Sequence, residues 1–194
     1  MLRYRYSLEE TTPPAADPIS LAEVKTHLRV DHTSDDAMLT DLIKTVGVLC
    51  EKSTGLALIN RNCSLYVDVW QSEILALPIA PLVSVTAINL YAEDGTSSVY
   101  PATNYYIDNK GASARIILKQ GAATPLAGRS ANGIEVQFTC GYGATEVDVP
   151  EMLKTAMKQI IAHLYENRGD SVDKAISLSG AEAIFKTYRR KSLL

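Results

Sequence analysis

The stretch "PISLAEVKTHLRVDHTSDDAMLTDLI" (residues 18–43) predicts two consecutive helices with a short polar connection. Ser20 and Glu23 have the spacing of a capping box, in which the serine accepts a hydrogen bond from a free helix amide and the glutamate binds back to the cap. The first helix carries a narrow apolar stripe at i, i+3 and i+7, formed by Leu21, Val24 and Leu28. This pattern indicates a short helix with one buried face.

A second, longer helix is predicted after a break at Val30-Asp31-His32-Thr33. Ser34 is the expected cap, and Asp35 and Asp36 lie near the positive end of the helix dipole. Gly55 is a natural terminator. The stripe is wide and consists of Leu39, Leu42, Ile43, Val46 and Cys50. Two such helices with a short connection are expected to pack as a hairpin or a corner.

The residues before this pair predict an extended arm over residues 1–18, because Thr11-Thr12-Pro13-Pro14 disfavours helix. No apolar run is long enough for a signal peptide, nor does any reach the roughly 18 residues of a membrane span. The cysteines also favour a cytoplasmic protein. The chain has three widely spaced cysteines, Cys50, Cys63 and Cys140. We therefore expect reduced, buried thiols and a cytoplasmic protein.

The middle of the chain changes to a period of two, which predicts strands. Asp94-Gly95 is a strong hairpin signal, and a second turn is expected at Asn109-Lys110-Gly111. The alternating apolar positions are Leu65, Val67 and Val69 in one segment and Ile134, Val136, Phe138 and Cys140 in another. The spacing predicts a meander of short antiparallel strands over about 61–140, and no parallel sheet.

A helical period returns after Pro150, whose missing amide costs nothing in a first turn. The stripe is formed by Leu153, Ala156, Met157, Ile160 and Leu164, widened by Met152 and Ile161. This helix should end near Asn167, and residues 169–194 are expected to form a loosely attached tail. The predicted fold class is therefore α+β. A mainly helical scaffold consists of an N-terminal helical pair (about 19–55) and a long C-terminal helix (about 150–167). It carries an antiparallel β-meander insertion and extended N- and C-terminal arms. The expected division is an arm (1–18), a central domain (19–168) and a tail (169–194).

Three groupings resemble sites of catalysis, metal or cofactor binding, and each has a simpler interpretation. His27, Asp31 and His32 lack the spacing of a zinc motif and are better explained as solvated surface residues. His163 and Glu166 are three residues apart, but no facing carboxylates complete a di-iron site. The segment "CGYG" (140–143) lacks the rest of a phosphate-binding loop, so its glycines indicate a tight turn. The sequence predicts no catalytic residue, no cofactor and no metal.

The tail segment "IFKTYRRK" (184–191) combines two aromatic residues with four cations. It suits a peptide that docks on another protein, or one that contacts nucleic acid through phosphates and stacking. A solvated basic end is the alternative without a function. Because we expect the rest of the domain to have little need of these apolar side chains, the predicted docking residues are Phe185, Tyr188, Arg189 and Arg190.

Four stretches, in this order, resemble the head–tail connector (adaptor) proteins of tailed double-stranded DNA bacteriophages and related gene-transfer particles. They are residues 18–43, then "CEKSTGLALINRNCSLYVDVW" (50–70) with "LPIAPLVSVTAINLYAEDG" (77–95), then "FTCGYG" (138–143) running into "VPEMLKTAMKQIIAHLYENRGD" (149–170), and "FKTYRR" (185–190). The resemblance covers most of the chain, and it depends on all four stretches occurring in this order.

The resemblance implies a structural virion protein at the head–tail interface of the portal vertex, with no enzymatic activity. It implies a homo-oligomeric ring, usually dodecameric, that lies under the portal protein and above a stopper or tail-completion protein. In the family the C-terminal segment commonly reaches the portal, which would make Phe185, Tyr188, Arg189 and Arg190 docking residues. The segment "LYAEDGTSSVY" (90–100) would then be available to neighbours. Here Lys186-Thr187 departs from the leucine and proline often found before the aromatic residue.

The charge agrees with a DNA conduit that does not bind tightly. The net charge is −3 and the predicted pI about 5.6. Each lysine or arginine that contacts a DNA phosphate adds binding energy that depends on salt, and an acidic chain is expected to make few such contacts. Passing double-stranded DNA is therefore expected to meet no specific binding site. The alternatives are a tail-completion or stopper protein, or a small enzyme or nucleic-acid-binding module.

Overall fold

The computed structural model describes residues 6–110 and 114–190, which form two compact units. Unit 1 holds the chain up to Pro13 together with Asn60–Gly141, and unit 2 holds Pro14–Ile59 and the chain from Tyr142 onward. The β-rich segment is thus an insertion between helical segments, and the prediction of an α+β chain with antiparallel strands is confirmed. No helix in the described ranges is long and apolar enough to cross a membrane.

Unit 2 is helical. Its helices are α1 (Leu21–Leu28), α2 (Asp36–Thr54), α3 (Glu151–Glu166), α4 (Val172–Ser179) and α5 (Ala181–Tyr188). The capping box of Ser20 and Glu23 is present at the start of α1, and Gly55 ends α2 with a positive φ of 74°. Both signals lie in the sequence next to the backbone groups that they satisfy, which is why local patterns predict them well.

The predicted cap of α2 is wrong. The helix begins at Asp36, and the residue at the N-cap position is Asp35, whose side chain makes no capping hydrogen bond. Ser34 lies inside a turn that the Asp36 amide closes by donating to the Thr33 carbonyl at 3.2 Å. The Asp35 carboxylate instead accepts a hydrogen bond of 2.6 Å from the Tyr165 hydroxyl of α3. A long-range partner has replaced the local cap.

The buried faces of α2 and α3 form most of the core of unit 2. Among the predicted stripe positions, those that are fully buried are Leu39, Ile43, Val46 and Cys50 on α2 and Leu153, Ala156, Met157, Ile160 and Ile161 on α3. Met152 is 52% exposed, so widening the stripe to include it was wrong. It lies in the first turn of α3, outside the face that meets α2.

The C-terminal segment is not loosely attached, and that prediction is wrong. Its described part forms α4 and α5, which pack on α3, while α5 also contacts α2. Ser171 caps α4 by accepting from the Lys174 amide, and Gly180, with a φ of 80°, separates the two helices. Ala175 and Phe185 are buried at 0% and 1% exposure. Lys191 and the last residues lie outside the described ranges.

Unit 1 contains two antiparallel sheets. In chain order its strands are β1 (Tyr6–Thr12), β2 (Arg61–Val67), β3 (Ile74–Ala76), β4 (Leu82–Tyr91), β5 (Ser97–Val99), β6 (Tyr105–Asp108), β7 (Arg115–Leu118) and β8 (Ile134–Cys140). The larger sheet has the order β1-β2-β8-β4-β5 and the smaller one β3-β7-β6. The predicted sequential meander is therefore wrong. β8, in which five of seven residues are buried, takes the central position between β2 and β4, where burial is greatest.

Residues Tyr6–Thr12 of the predicted N-terminal arm form a strand. β1 pairs with β2 from Tyr6 opposite Val67 to Thr12 opposite Asn62. The predicted hairpin is confirmed, because β4 pairs with β5 and the Ala92 amide donates to the Thr96 carbonyl at 2.8 Å. The predicted turn at 109–111 extends beyond the described residues at Gly111.

The larger sheet has one apolar and one polar face. Leu65, Val67, Ile134, Val136 and Phe138 are buried on the apolar face. Val69, which was predicted to continue this alternation, lies beyond the end of β2 and is 58% exposed. All three cysteines are buried, as predicted, and the Sγ atoms of Cys63 and Cys140 lie 3.9 Å apart.

Candidate docking surfaces

Phe185 is the first of the predicted docking residues, and it is part of the core of its own unit. It lies on α5 with 1% of its surface exposed. Its aromatic ring therefore holds α5 in place instead of offering a free anchor. The expectation that the domain has little need of this side chain is wrong.

Arg189 and Arg190 lie at the carboxyl end of α2. Arg189 Nε donates to the Ser53 carbonyl at 3.1 Å, and the Arg190 amide donates to the Thr54 carbonyl at 3.0 Å. The last carbonyls of a helix have no partners within it and carry partial negative charge, so a guanidinium placed there stabilises the helix end. These residues therefore fasten the end of the described chain to α2.

Tyr188 is the last residue of α5 and is partly exposed. Burial and the neighbouring Tyr188 raise the pKa of Tyr142. The structure thus brings all four predicted docking residues to one region of unit 2. Of these, Phe185 is buried, whereas Tyr188 and the outer part of Arg189 remain accessible.

The β4–β5 hairpin is the second predicted contact segment, and its tip is exposed. Asp94 Oδ1 accepts from the Thr96 amide at 2.9 Å and from the Thr96 hydroxyl at 2.7 Å. These hydrogen bonds lower the pKa of Asp94 and keep the turn ordered. Val99, on β5, is 67% exposed. The hairpin therefore presents an ordered tip with an apolar side chain near it.

The groupings that resembled chemical sites have structural explanations. His27, Asp31 and His32 are exposed, and no group of three or more potential metal ligands occurs among the described residues. His163 Nε2 lies 2.9 Å from Asp170 Oδ2 and links the end of α3 to the segment before α4. Gly141 has a φ of 140°, and a Cβ there would lie 2.5 Å from the Asn60 amide nitrogen. These residues support turns and helix ends.

A family model described as phage gp6-like head-tail connector protein matches residues 18–192, which is most of the chain. The chain belongs to this family. The role of the connector is structural and not enzymatic. No curated protein matches it.

Solved structures of gene transfer agent particles contain chains similar to this connector. In a structure titled "Neck of empty GTA particle computed with C6 symmetry", one chain is 29% identical, with a TM-score of 0.82 and 97% of both chains covered. In "Neck of native GTA particle computed with C12 symmetry", the values are 29%, 0.80 and 97% of both chains. In "Virion of native gene transfer agent (GTA) particle", they are 26% and 0.80, with 96% of this chain and 97% of that chain covered.

A buried polar cluster on the connector's larger sheet was missed by sequence reasoning. Glu135, on β8, is 4% exposed. Its carboxylate accepts hydrogen bonds of 2.8 to 3.2 Å from Ser64, Tyr66, Asn89, Tyr91 and Gln137. Burial alone would raise the pKa of Glu135, but hydrogen bonds from Asn89, Gln137, Ser64 and Tyr91 outweigh it and lower the pKa to about 2.

The Glu135 cluster has no open position for a ligand. Its five donors occupy both carboxylate oxygens, which together offer about four lone-pair sites. The donors come from β2, β4 and β8, so the cluster links three neighbouring strands. The only sequence signal was a glutamate at an outward position of an alternating strand, and that signal does not distinguish a buried residue from a solvated one.

Unit 2 of the connector contains a comparable link between helices. Lys154, on α3, is 4% exposed, and its Nζ lies 3.1 Å from Glu23 Oε1 and 2.5 Å from Glu151 Oε1. The hydrogen bond to Glu151 raises the pKa of Lys154 against the opposing effect of burial. Because Glu23 also belongs to the capping box, this ion pair fixes the start of α1 against α3.

Proposed function

We propose that this connector forms a closed ring of identical copies in the neck of a phage or gene-transfer particle, where it joins the head to the tail. The observation that carries the proposal is the match over 97% of both chains to a chain in a neck computed with C12 symmetry. In such a ring each interface joins two different patches of one subunit, because rotation about a central axis is head-to-tail. A dodecamer follows if the symmetry of that neck applies here.

In this proposal the helical pair, α1 and α2, and the long α3 form the scaffold of the ring. The β-rich insertion of unit 1 and the two terminal segments provide the contacts with neighbours. Assembly would take place in the host cytoplasm, and the finished ring would be part of the virion at its portal vertex.

The proposed partners of the ring are the portal protein on one side and a stopper or tail-completion protein on the other. Tyr188 and the accessible part of Arg189 are the proposed portal contacts, while Phe185 and Arg190 hold the segment that presents them. This division of roles follows from exposure, because Phe185 is 1% exposed and the Arg190 amide is bonded to Thr54. The hairpin around Asp94 is the proposed contact with a neighbouring copy.

Double-stranded DNA is proposed to pass through the ring without specific binding. A net charge of −3 for each copy supplies no general attraction for phosphates. A conduit needs this property, because tight phosphate contacts would slow the movement of the genome.

Site-specific photo-crosslinking in assembled particles tests the portal contact. A photoreactive amino acid replaces Tyr188, and the matched control carries it at Thr155, an exposed position on α3. We expect the Tyr188 position to crosslink to the portal protein and the Thr155 position to give a different product pattern. Crosslinks from Tyr188 only to a tail protein would favour a stopper role and overturn the proposed orientation.

A particle lacking this chain tests the role itself. We expect DNA-filled heads without tails when the gene is deleted, and tailed particles when it is restored. Normal tailed particles without the chain would overturn the proposal.

A further inference from the structure

Asn132-Gly133 is the only asparagine–glycine pair in the sequence, and it lies in the bend before β8. Asparagine is a thermolabile residue, because a main-chain nitrogen can displace its side-chain amide. Glycine has no side chain to hinder its own amide nitrogen in such an attack. The pair is therefore a candidate for spontaneous modification, provided that the fold leaves both groups free.

The side chain of Asn132 is free to react. Asn132 is exposed, and its side-chain amide makes no hydrogen bond to a described residue. Its main chain has a φ of 50°, in the left-handed region that asparagine tolerates better than most residues. The Asn132 amide donates to Asp68 Oδ1 at 2.7 Å, which holds this main-chain position. The side chain can therefore rotate towards the next nitrogen while the backbone stays in place.

The amide nitrogen of Gly133 is the nucleophile of this reaction, and it makes no hydrogen bond to a described residue. The Tyr91 amide donates to the Gly133 carbonyl at 2.8 Å. In a regular antiparallel pair the Gly133 amide would donate back to the Tyr91 carbonyl. That carbonyl instead accepts from the amides of Gly128 at 2.9 Å and Arg129 at 3.2 Å. The Gly133 proton is therefore not held by the bond that a continuous sheet would provide.

Arg129 places positive charge where negative charge would develop. Its Nε and Nη2 both donate to the Asn132 carbonyl, Nε at 3.0 Å. This carbonyl and the Gly133 nitrogen belong to the same peptide group, so resonance shares the charge of a deprotonated nitrogen with this oxygen. The guanidinium lies 4.2 Å from the centre of the Tyr91 ring, which helps to fix it. Donors fixed at the atom that gains charge stabilise a transition state.

We propose that Asn132 is a deamidation site and that Arg129 promotes the reaction as a positioning residue. The Gly133 nitrogen loses its proton to water or hydroxide and attacks Cγ of Asn132. The bond from this nitrogen to Cγ forms, the Cγ–Nδ2 bond breaks, and Nδ2 leaves as ammonia with a proton from solvent. The cyclic imide then takes up one water. Cleavage of the new nitrogen–Cγ bond gives aspartate, and cleavage of the original peptide bond gives isoaspartate.

Either product changes the larger sheet at the start of its central strand. The new carboxylate moves the net charge of each copy from −3 to −4. Isoaspartate also routes the main chain through the former side chain, directly before the residues that begin β8. The first pair of that strand with β2 joins Ile134 to Val67. Modified copies should therefore have a lower Tm than fresh ones.

Peptide mass spectrometry of the purified full-length chain, stored at mildly alkaline pH and sampled over several weeks, tests the site. We expect Asn132 to gain the mass difference between an amide and a carboxyl group, with isoaspartate among the products. Asn109 is the internal control, because it is also exposed but is followed by Lys110, and it should stay unmodified. The same chain unfolded in urea gives the reference rate. No product in the folded chain while the unfolded chain is converted would show that the buried Gly133 cannot react, and would overturn the proposal.

Substitution of Arg129 tests its part in the reaction. Arg129→Gln should slow deamidation of the folded chain by about threefold or more, since the charge beside the Asn132 carbonyl is lost. Arg129→Lys keeps the charge and should give an intermediate rate, and all three chains should react equally in urea. A loosened bend alone would act in the opposite direction, because the side chain would reach the nitrogen more often. A folded R129Q chain that reacts as fast as the wild type, or faster, overturns the role of Arg129.

Discussion

Glu135 is a charged residue inside unit 1 that is stabilised without a cation. An ionised carboxylate is costly to bury unless hydrogen bonds replace its lost water. The five donors around Glu135 do this, and they come from three adjacent strands. The cluster thus favours one alignment of β2, β4 and β8, since a slip of one residue would move the donors to the opposite face.

Replacing Glu135 by glutamine should destabilise unit 1 in a pH-dependent way. The pKa of Glu135 falls from 4.5 to about 2 on folding, so its contribution is complete above pH 4.5 and is lost as the pH falls towards 2. A tenfold change in proton affinity is worth about 1.4 kcal/mol, which makes the contribution ~3 kcal/mol. Urea unfolding should show a gap between wild type and E135Q that is large at pH 7 and narrows between pH 4.5 and 2.

The control for this experiment is Glu93→Gln, at an exposed position of the β4–β5 hairpin. Its difference from the wild type should be small at every pH, because surface substitutions usually change stability by less than about 0.5 kcal/mol. A gap for E135Q that does not change with pH would show that the cluster does not depend on the ionised carboxylate.

Gly141→Ala should destabilise the protein through a single added methyl group. The φ of 140° is unfavourable for alanine, and the new Cβ would lie 2.5 Å from the Asn60 amide nitrogen and 2.6 Å from its Cα. We expect a loss of about 2 kcal/mol or more and a decrease in Tm of at least about 4 °C. The matched control is Gly169→Ala, where nothing lies within 4 Å and Tm should not change. Equal melting temperatures for G141A and G169A would contradict the close approach.

At the scale of elements, the sequence predicted helices and strands correctly where the signal is local. It failed where contact with a residue far away in the chain determines the structure. The capping box at Ser20 and the end of α2 at Gly55 depend on groups within a few residues, and both are found as predicted. β1 was predicted only as part of an extended arm, although Tyr6 and Leu8 alternate with Ser7 and Glu9, because the alternation is short and the strand's partner is distant. Its pairing with β2 joins segments about 50 residues apart and cannot be detected from a single segment.

The helices α4 and α5 were missed for another reason. Each has eight residues, which is too short for periodicity to separate a helix from an irregular segment. The available signals were Ser171 before α4 and Gly180 after it. Phe185 was predicted to dock on another protein, but it is buried within unit 2 itself. Sequence alone cannot show whether an apolar side chain is buried by its own domain or by another protein.

Phe185→Ala should therefore weaken unit 2 and not only a partner contact. Removing a fully buried phenylalanine typically costs about 3–5 kcal/mol, because apolar contacts are lost and a cavity remains. Urea unfolding measures the loss, and hydrogen exchange of the Arg190 amide, which is bonded to Thr54, should become faster. The matched control is Leu178→Ala on the neighbouring helix α4, where the side chain is 62% exposed and stability should hardly change. If both variants were equally stable, α5 would be a free segment after all.

At the scale of the whole molecule, the four sequence stretches in their order indicated the family. The net charge suggested that the ring binds DNA weakly. Neither local periodicity nor composition could give the strand order β1-β2-β8-β4-β5, because β8 lies beside β2 although five other strands separate the two in the chain.

The free chain should bind duplex DNA weakly, with little dependence on salt. Phosphate contacts release counterions, so affinity falls steeply with salt only when several cations touch the backbone. Fluorescence anisotropy with a short duplex, measured between about 50 and 200 mM salt, tests this expectation.

A positive control is the triple variant Asp31→Lys, Glu166→Lys and Asp173→Lys, at exposed positions. Each change adds two charges, which moves the net charge from −3 to +3, and the variant should gain salt-sensitive binding. Tight, salt-sensitive binding by the wild type would contradict the conduit and favour a nucleic-acid-binding role, because a ring that grips phosphates would retain the DNA it must let pass.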